Sequence, residues 1–180
     1  MWGKRKAKID DADRKIPDPV RARQRTMNRA VKLLAAKPRS VRELRERLLE
    51  KAWTDQAIVN AVIEKLRDYS YLDDQQFAAD VAVSKLKQKP QGKRRLQQSM
   101  SQKKLDKQVV EEAIRIAFEK LPEEKLIDLA IEKRLRLKGK PETREDAKKF
   151  YDYLLRQGFG YDLIRDAMRG LADLTDDTAS

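Results

Sequence analysis

The sequence predicts an all-α fold of three tandem three-helix, helix-turn-helix-like repeats forming an elongated, curved array. Three observations carry that prediction. The first is a ladder of apolar residues that occurs three times with the same steps of 4, 5, 5, 4 and 4. It reads Leu44, Leu48, Trp53, Ile58, Val62, Leu66, then Leu96, Met100, Leu105, Val110, Ile114, Phe118, then Phe150, Leu154, Phe159, Ile164, Met168, Ala172. Steps of four keep side chains on one helical face, and the two steps of five straddle a tight turn between two short helices. The second is the register. The ladders start 52 and 54 residues apart, and a repeating unit fixes the architecture before any motif does. The third is composition: 40% apolar and 40% charged residues, with six Gly and six Pro, match solvated helices with narrow buried stripes rather than sheets. Modules this small hold few large apolar residues, so neighbours are expected to share cores. An array of this kind offers an extended surface instead of one deep pocket.

The elements follow in order. Residues 1–24 are polar and basic, with Pro17 and Pro19 and no periodicity, and read as a flexible basic arm. The first repeat spans 25–71. Ala30, Val31, Leu33 and Leu34 mark its first helix, which Pro38 ends. Ser40 with Glu43 three residues on forms a capping box for the second helix. Thr54 caps a third helix that runs from Asp55 to about Tyr69. The second repeat spans 72–121. Asp73 and Asp74 open it, because acids at a helix start complement the macrodipole. Phe77, Ala78, Val81 and Ala82 give its stripe, Lys87–Gly92 breaks it, and a basic helix follows from Lys93 to about Gln102. Asp106 caps the next helix, which reaches Leu121. The third repeat spans 122–172. Pro122 with Glu123 and Glu124 starts it, with Leu126, Leu129, Ala130 and Ile131 as the stripe. Gly139 and Pro141 end that helix, Thr143 with Asp146 caps the next, and Gly158 and Gly160 shape the last turn. Residues 173–180 form an acidic tail.

Chemistry is bounded by what is missing. There is no Cys and no His, which removes thiol chemistry, disulfides, cysteine or histidine zinc sites and imidazole bases from this chain. Glu64-Lys65, Glu119-Lys120 and Glu132-Lys133 all fall on helical faces, where such pairs are solvated surface rather than a metal nuclease centre. No glycine-rich phosphate loop occurs. The expectation is a protein that is not an enzyme and takes no cofactor or metal. With no membrane span and no signal-peptide pattern, it is expected to be cytoplasmic.

The net charge of +12 is unevenly placed. Residues 1–39 carry thirteen Lys/Arg against four Asp, and residues 85–107 carry nine Lys/Arg against Asp106. Concentrated positive charge points to a polyanion partner, whereas the plain alternative is a solvated surface with a basic tail. Lys87, Lys89, Lys93, Arg94, Arg95, Lys103 and Lys104 are the candidate contacts. Gly92 precedes a helix that starts with three cations, an arrangement able to hold a phosphate. Trp53, Phe118, Phe150 and Phe159 lie on the ladders and read as core. Tyr69 and Tyr71 lie at a repeat junction and read as packing there, so no base-stacking platform is evident.

The stretch Ser70–Leu96 reads SYLDDQQFAADVAVSKLKQKPQGKRRL. Its Tyr71-Leu72-Asp73-Asp74-x-x-Phe77-Ala78 string resembles the central signature of the RecX family, bacterial regulators of the RecA recombinase. Gly92-x-x-Arg95-Leu96 is similar to that family's following helix start, and Ser40-x-x-Glu43-Leu44-x-x-x-Leu48 to its first-module helix. The resemblance covers about residues 25–172. Ser70, Ala52 and Lys104 stand where the family commonly has Gly, while Gly158 matches. Each replacement of a left-handed cap glycine costs up to about 1 kcal/mol. Pro90-Gln91 replaces a Gly-aromatic pair.

The resemblance implies a monomer that binds the RecA filament on single-stranded DNA, with double-stranded DNA a further candidate partner, and no membrane. It implies limits on filament extension, ATP hydrolysis, strand exchange and coprotease activity. Leu72, Asp73, Asp74, Phe77 and Gly92 are then architectural. The alternatives are a stand-alone architectural nucleic-acid-binding protein and a scaffold that joins other proteins.

Overall fold

The computed structural model describes residues 9–14 and 16–176. Among these the chain forms helices α1 (Pro19–Ala36), α2 (Val41–Leu49), α3 (Gln56–Asp68), α4 (Asp74–Gln88), α5 (Lys93–Ser101), α6 (Lys107–Lys120), α7 (Glu123–Lys138), α8 (Arg144–Gln157) and α9 (Tyr161–Asp176). A 3-10 turn at Asp11–Asp13 precedes them, and the described residues contain no strand. The chain divides into two compact units. One holds the residues up to Phe77 with Lys103–Leu105; the other holds Ala78–Gln102 with the residues from Asp106 onward. The division passes through α4 and through the α5–α6 turn, so compact units and sequence repeats do not coincide.

In the first unit α1 packs on α2 and α3, and α2 on α3. Ala30, Val41, Leu44, Leu48, Val59, Val62, Ile63, Leu66 and Leu72 form the core, flanked by Met27, Leu33, Leu34 and Leu49. The ladder positions of α2 and α3 therefore meet as the spacing predicts. The first helix starts earlier than expected. Asp18 accepts a hydrogen bond from the Arg21 backbone N–H at 2.9 Å, and Pro19 occupies the first turn, where its missing N–H costs nothing. Residues 19–24 are thus helix rather than arm. The buried stripe of α1 runs Ala22, Thr26, Ala30 at spacing four, and Val31, expected inside, faces solvent.

Two caps depart from expectation in instructive ways. Ser40 accepts from the Glu43 N–H at 3.2 Å, but the Glu43 carboxylate is taken by Arg39 and Lys37 instead of completing the box. Asp55 rather than Thr54 caps α3, accepting from the Ile58 N–H at 2.7 Å. Thr54 is buried and accepts a hydrogen bond from the Thr26 hydroxyl at 2.9 Å. Arg14 ties the segment before α1 to this unit. Its guanidinium donates to the carbonyl oxygens of Leu49 at 2.9 Å, Lys51 at 2.7 Å and Thr54 at 2.6 Å, pairs with Asp11 at 2.6 Å, and its side chain is 3% exposed. Those carbonyls end α2 and form the α2–α3 turn, where helix termini leave acceptors unpaired.

In the second unit α5 packs on α6, α7 on α8 and α9, and α8 on α9. Leu96 and Met100 on α5, Val110 and Ile114 on α6, Phe150 and Leu154 on α8, and Phe159 and Ile164 at the start of α9 are buried. Ladder residues Leu105, Phe118 and Met168 are half-buried, as is Trp53 in the first unit. The stripe of α7 is Leu126, Ile127, Ala130 and Ile131, whereas Leu129 faces solvent on the opposite flank. Pro122 sits just before α7, one position earlier than expected. Asp106 holds the cap position of α6 without a side-chain hydrogen bond. Thr143 caps α8 as predicted, accepting from the Asp146 N–H at 3.1 Å.

The C-terminal ends of α3 and α8 share one geometry. Tyr71 N–H reaches Leu66 O at 2.9 Å and Ser70 N–H reaches Arg67 O at 2.8 Å, while Phe159 and Gly158 repeat those bonds to Leu154 and Leu155. The turning residue is left-handed in both, Ser70 at φ 56° and Gly158 at φ 91°. Lys104 is also left-handed at φ 57°, so two of the three glycine replacements fall on strained backbone and Ala52 does not. Ser70→Gly is expected to stabilise the protein by up to about 1 kcal/mol in urea unfolding. Arg14→Ala is expected to destabilise it by about 3 kcal/mol, because three partly buried carbonyls lose their donor, and Arg14→Lys should restore little of that.

Candidate nucleic-acid interface

The strongest candidate surface of the second unit is built at the start of α5. Gly92 N–H donates to Gln157 O at 3.0 Å, so the strand entering α5 lies directly against the end of α8. A Cβ at Gly92 would stand 2.3 Å from Gly158 O, and one at Gly158 would stand 2.5 Å from Arg95 N. Gly92 is therefore a packing glycine. The helix start it opens does not stand free for a phosphate, because the Glu123 carboxylate accepts from the Lys93 N–H at 2.9 Å. The expected anion seat is filled from within the chain.

The three cations then separate by role. Arg95 is half-buried and donates from Nη1 to Arg156 O at 2.8 Å, placing a cation at the C-terminal end of α8 where the helix dipole favours it. The Lys93 and Arg94 side chains are exposed, as are Lys87 in the last turn of α4 and Lys89 just after it. None of these four forms an ion pair among the described residues. On α6, by contrast, Arg115 hydrogen-bonds Glu112 and pairs with Glu119. That hydrogen bond, with the nearby charge, holds the Glu112 carboxyl below its ordinary range, so this face neutralises itself.

Lys103 and Lys104 belong to the first unit. The Lys103 carbonyl accepts from the Ser40 hydroxyl at 3.2 Å, and the Lys104 ammonium pairs with Glu46. Lys104 is thus partly committed inside the unit. The signature residues take helix-capping and core positions. Leu72 is buried and Phe77 half-buried. Asp73 accepts from the Gln75 N–H at 2.8 Å and the Gln76 N–H at 3.1 Å, capping α4. Asp74 stands in the first turn of α4, as expected, and also accepts from the Val41 N–H at 2.8 Å, so the second acid serves the start of α2 as well.

Sequence reasoning missed two surfaces. Tyr69 and Tyr71, read as packing, are 60% and 70% exposed, their rings edge to face at 6.5 Å with the Lys65 ammonium 5.8 Å from the Tyr69 ring. Trp53, read as core, is half-buried and lines a cleft with Arg25, Arg29 and Lys32. Spacing could have found the second, since Arg25, Arg29 and Lys32 stand at steps of four and three on one helix. Among the described residues no group of three or more acids gathers as a metal set, and no helix is long and apolar enough to cross a membrane.

Tandem three-helix modules define an all-α helical-repeat protein. Three consecutive family models match the chain: RecX, first three-helix domain at residues 27–66, second at 73–114 and third at 123–168. The chain belongs to the RecX family. The regulatory protein RecX of Prosthecochloris aestuarii is 30% identical over 145 residues, covering 81% of this chain and 92% of that protein. The one from Clostridium botulinum strain Alaska E43 is 31% identical over 141 residues, covering 78% of this chain and 65% of its own length. The chain thus spans about two thirds of several curated relatives it matches. The crystal structure of RecX from Lactobacillus salivarius shares the fold, with TM-score 0.74 and 21% identity over 85% of this chain and 98% of that one.

The close approach at Gly92 makes a sharp prediction. Gly92→Ala is expected to cost about 3 kcal/mol or more, since the colliding atoms are backbone and cannot rotate away. Gly160→Ala, where nothing lies within 4 Å of the added carbon, should change stability by less than about 0.5 kcal/mol. Thermal melts of the two variants decide it.

Proposed function

We propose that this protein modulates, mainly by inhibition, the RecA recombinase by binding RecA filaments on single-stranded DNA. In this reading it limits filament extension and, with it, ATP hydrolysis, strand exchange and coprotease activity. The observation that carries the proposal is the match of all three modules, in order, to a family whose relatives bear the name regulatory protein. No catalytic step is needed. A protein that binds one filament state better than another shifts the population toward it by its differential affinity. The protein acts as a cytoplasmic monomer, and double-stranded DNA is a secondary partner.

Lys93, Arg94, Lys87 and Lys89 are the proposed contacts of the second unit, and Lys103 and Lys104 those of the first. Arg95 combines contact with its tie to α8, so charge reversal there would mix two effects. The cleaner variant is Lys93→Glu with Arg94→Glu, which removes no hydrogen bond from the fold. It should leave helicity unchanged and weaken binding to the polyanion. If both side chains meet single-stranded phosphates, the slope of log affinity against log salt should flatten by about 1.4.

The deciding measurement is ATP hydrolysis by RecA on single-stranded DNA with this protein added well below the RecA concentration. A progressive fall at substoichiometric ratios is expected, because one bound molecule would block many downstream subunits. An effect that begins only when the protein covers the DNA would mean competition for the strand. The reading would then give way to a stand-alone nucleic-acid-binding protein.

A further inference from the structure

A cleft of about 340 Å³ opens on the first unit between α1 and the α2–α3 turn, lined by Arg25, Asn28, Arg29, Lys32, Leu33 and Trp53. Its wall is aromatic on one side and cationic on the other. The Arg25 guanidinium carbon stands 4.8 Å from the centre of the Trp53 ring, an ordinary cation–π distance. Trp53 belongs to the first ladder, yet it is only half-buried where Leu44, Leu48, Val62 and Leu66 are closed off.

The charge around the cleft is not balanced from within. Elsewhere in this unit Lys37, Arg39, Arg42, Arg47, Arg67 and Lys104 each pair with a carboxylate, while Arg21, Arg23, Arg45, Lys51 and Lys65 have no ion pair among the described residues but are dispersed rather than gathered at a cleft lined by an aromatic ring. Among the described residues no carboxylate pairs with Arg25 or Lys32, and Arg29 has Glu50 at a distant 4.0 Å. The Arg29 Nε is buried and has no hydrogen-bond acceptor.

We infer that this cleft seats one nucleotide of a single-stranded nucleic acid, its phosphate between Arg29 and Lys32 and its base against Trp53. Two features favour this occupant. The three cations stand on one helical face and suit a phosphodiester. The accessible part of the half-buried indole, from which the exposed Arg25 side chain can swing away, supplies a stacking surface that an acidic peptide would leave unused and that a paired base cannot reach. The volume lies at the small end of ligand sites, roughly 300–1,000 Å³, in keeping with a single nucleotide rather than a longer segment. The inference deepens the DNA contact proposed above and rests on that part of the reading, but it needs no RecA.

The test uses the full chain without RecA. The sequence has two tryptophans, so Trp2→Phe leaves Trp53 as the sole indole reporter. Oligothymidylate about a dozen nucleotides long, in the range of single-strand site sizes, is titrated while Trp53 emission is read. Saturable quenching that weakens with salt is expected. Adding Arg25→Glu and Lys32→Glu, both exposed and outside any ion pair, should weaken it by about tenfold or more with helicity unchanged.

Absence of quenching at oligomer concentrations that shift the anisotropy of a labelled strand would overturn the inference, as would absence of any binding. Equal quenching by a duplex of the same length would refute base contact, and equal quenching by polyglutamate would reassign the cleft to acidic protein. Because RecA is absent from every arm, failure here leaves the filament reading to its own ATPase test. Normal quenching with no effect on that ATPase would sink the filament reading alone.

Discussion

Two backbones touch at Gly92 and Gly158, and the basic helix α5 takes its place from that contact. Neither residue can carry a Cβ, since on one side it would meet a carbonyl and on the other the start of α5 itself. The hydrogen bond from Gly92 to Gln157 draws the entering strand onto the end of α8, and Arg95 then reaches Arg156 from the next turn. Glu123 approaches the same point from the start of α7. A packed arrangement of this kind has no room to shift by fractions of an ångström. Lys93 and Arg94 are consequently presented from a rigid base, and whatever they meet finds them already placed.

The same logic explains why net charge is a poor guide to where a polyanion lands. Several cations of this chain sit on helices and are answered by carboxylates three or four positions away, pairs that add little stability and leave little field. A few are consumed by carbonyl groups at helix ends, as Arg14 and Arg95 are. Two sets stand out among the cations that lack a close carboxylate among the described residues: the exposed lysines and arginine around the start of α5, and the group beside Trp53, where Arg29 alone has a carboxylate, Glu50 at 4.0 Å. These two sets are distinguished by their surroundings, not by their number.

Much of the fold could be read in advance, because burial on a helix obeys a period. Leu44, Leu48, Val62, Leu66, Leu96, Met100, Leu154 and Ile164 fall inside as the ladders demand. The misses have local causes. Val31 and Leu129 are apolar residues on the wrong flank, where one residue of rotation separates core from solvent and composition cannot choose. Asp55 displaced Thr54 as a cap because both are good caps and only the buried Thr26–Thr54 hydrogen bond decides between them. The candidate site was less legible. Its cations could be counted, but their partners arise from tertiary contacts: Glu46 is 58 positions from Lys104, and Arg156 is 61 from Arg95. The openness of Trp53 and the exposure of Tyr69 and Tyr71 were hidden for the same reason.

Arg14 adds an order of events during synthesis. Three of the carbonyls it binds belong to residues 35 to 40 positions later in the chain. A ribosome adding about 5–20 residues per second would make the last of them roughly 2–8 s after Arg14 itself. Until then the arginine has only its local partners, Asp11 and the Ile9 carbonyl, and α1 can form but cannot be fastened at its leading edge. The segment before α1 is therefore fastened only after translation through the α2–α3 turn, and the core of the first unit closes later still, once α3 and Leu72 have been made. Slowing elongation over codons 15–54 would prolong the interval in which the nascent first helix is open to chaperones.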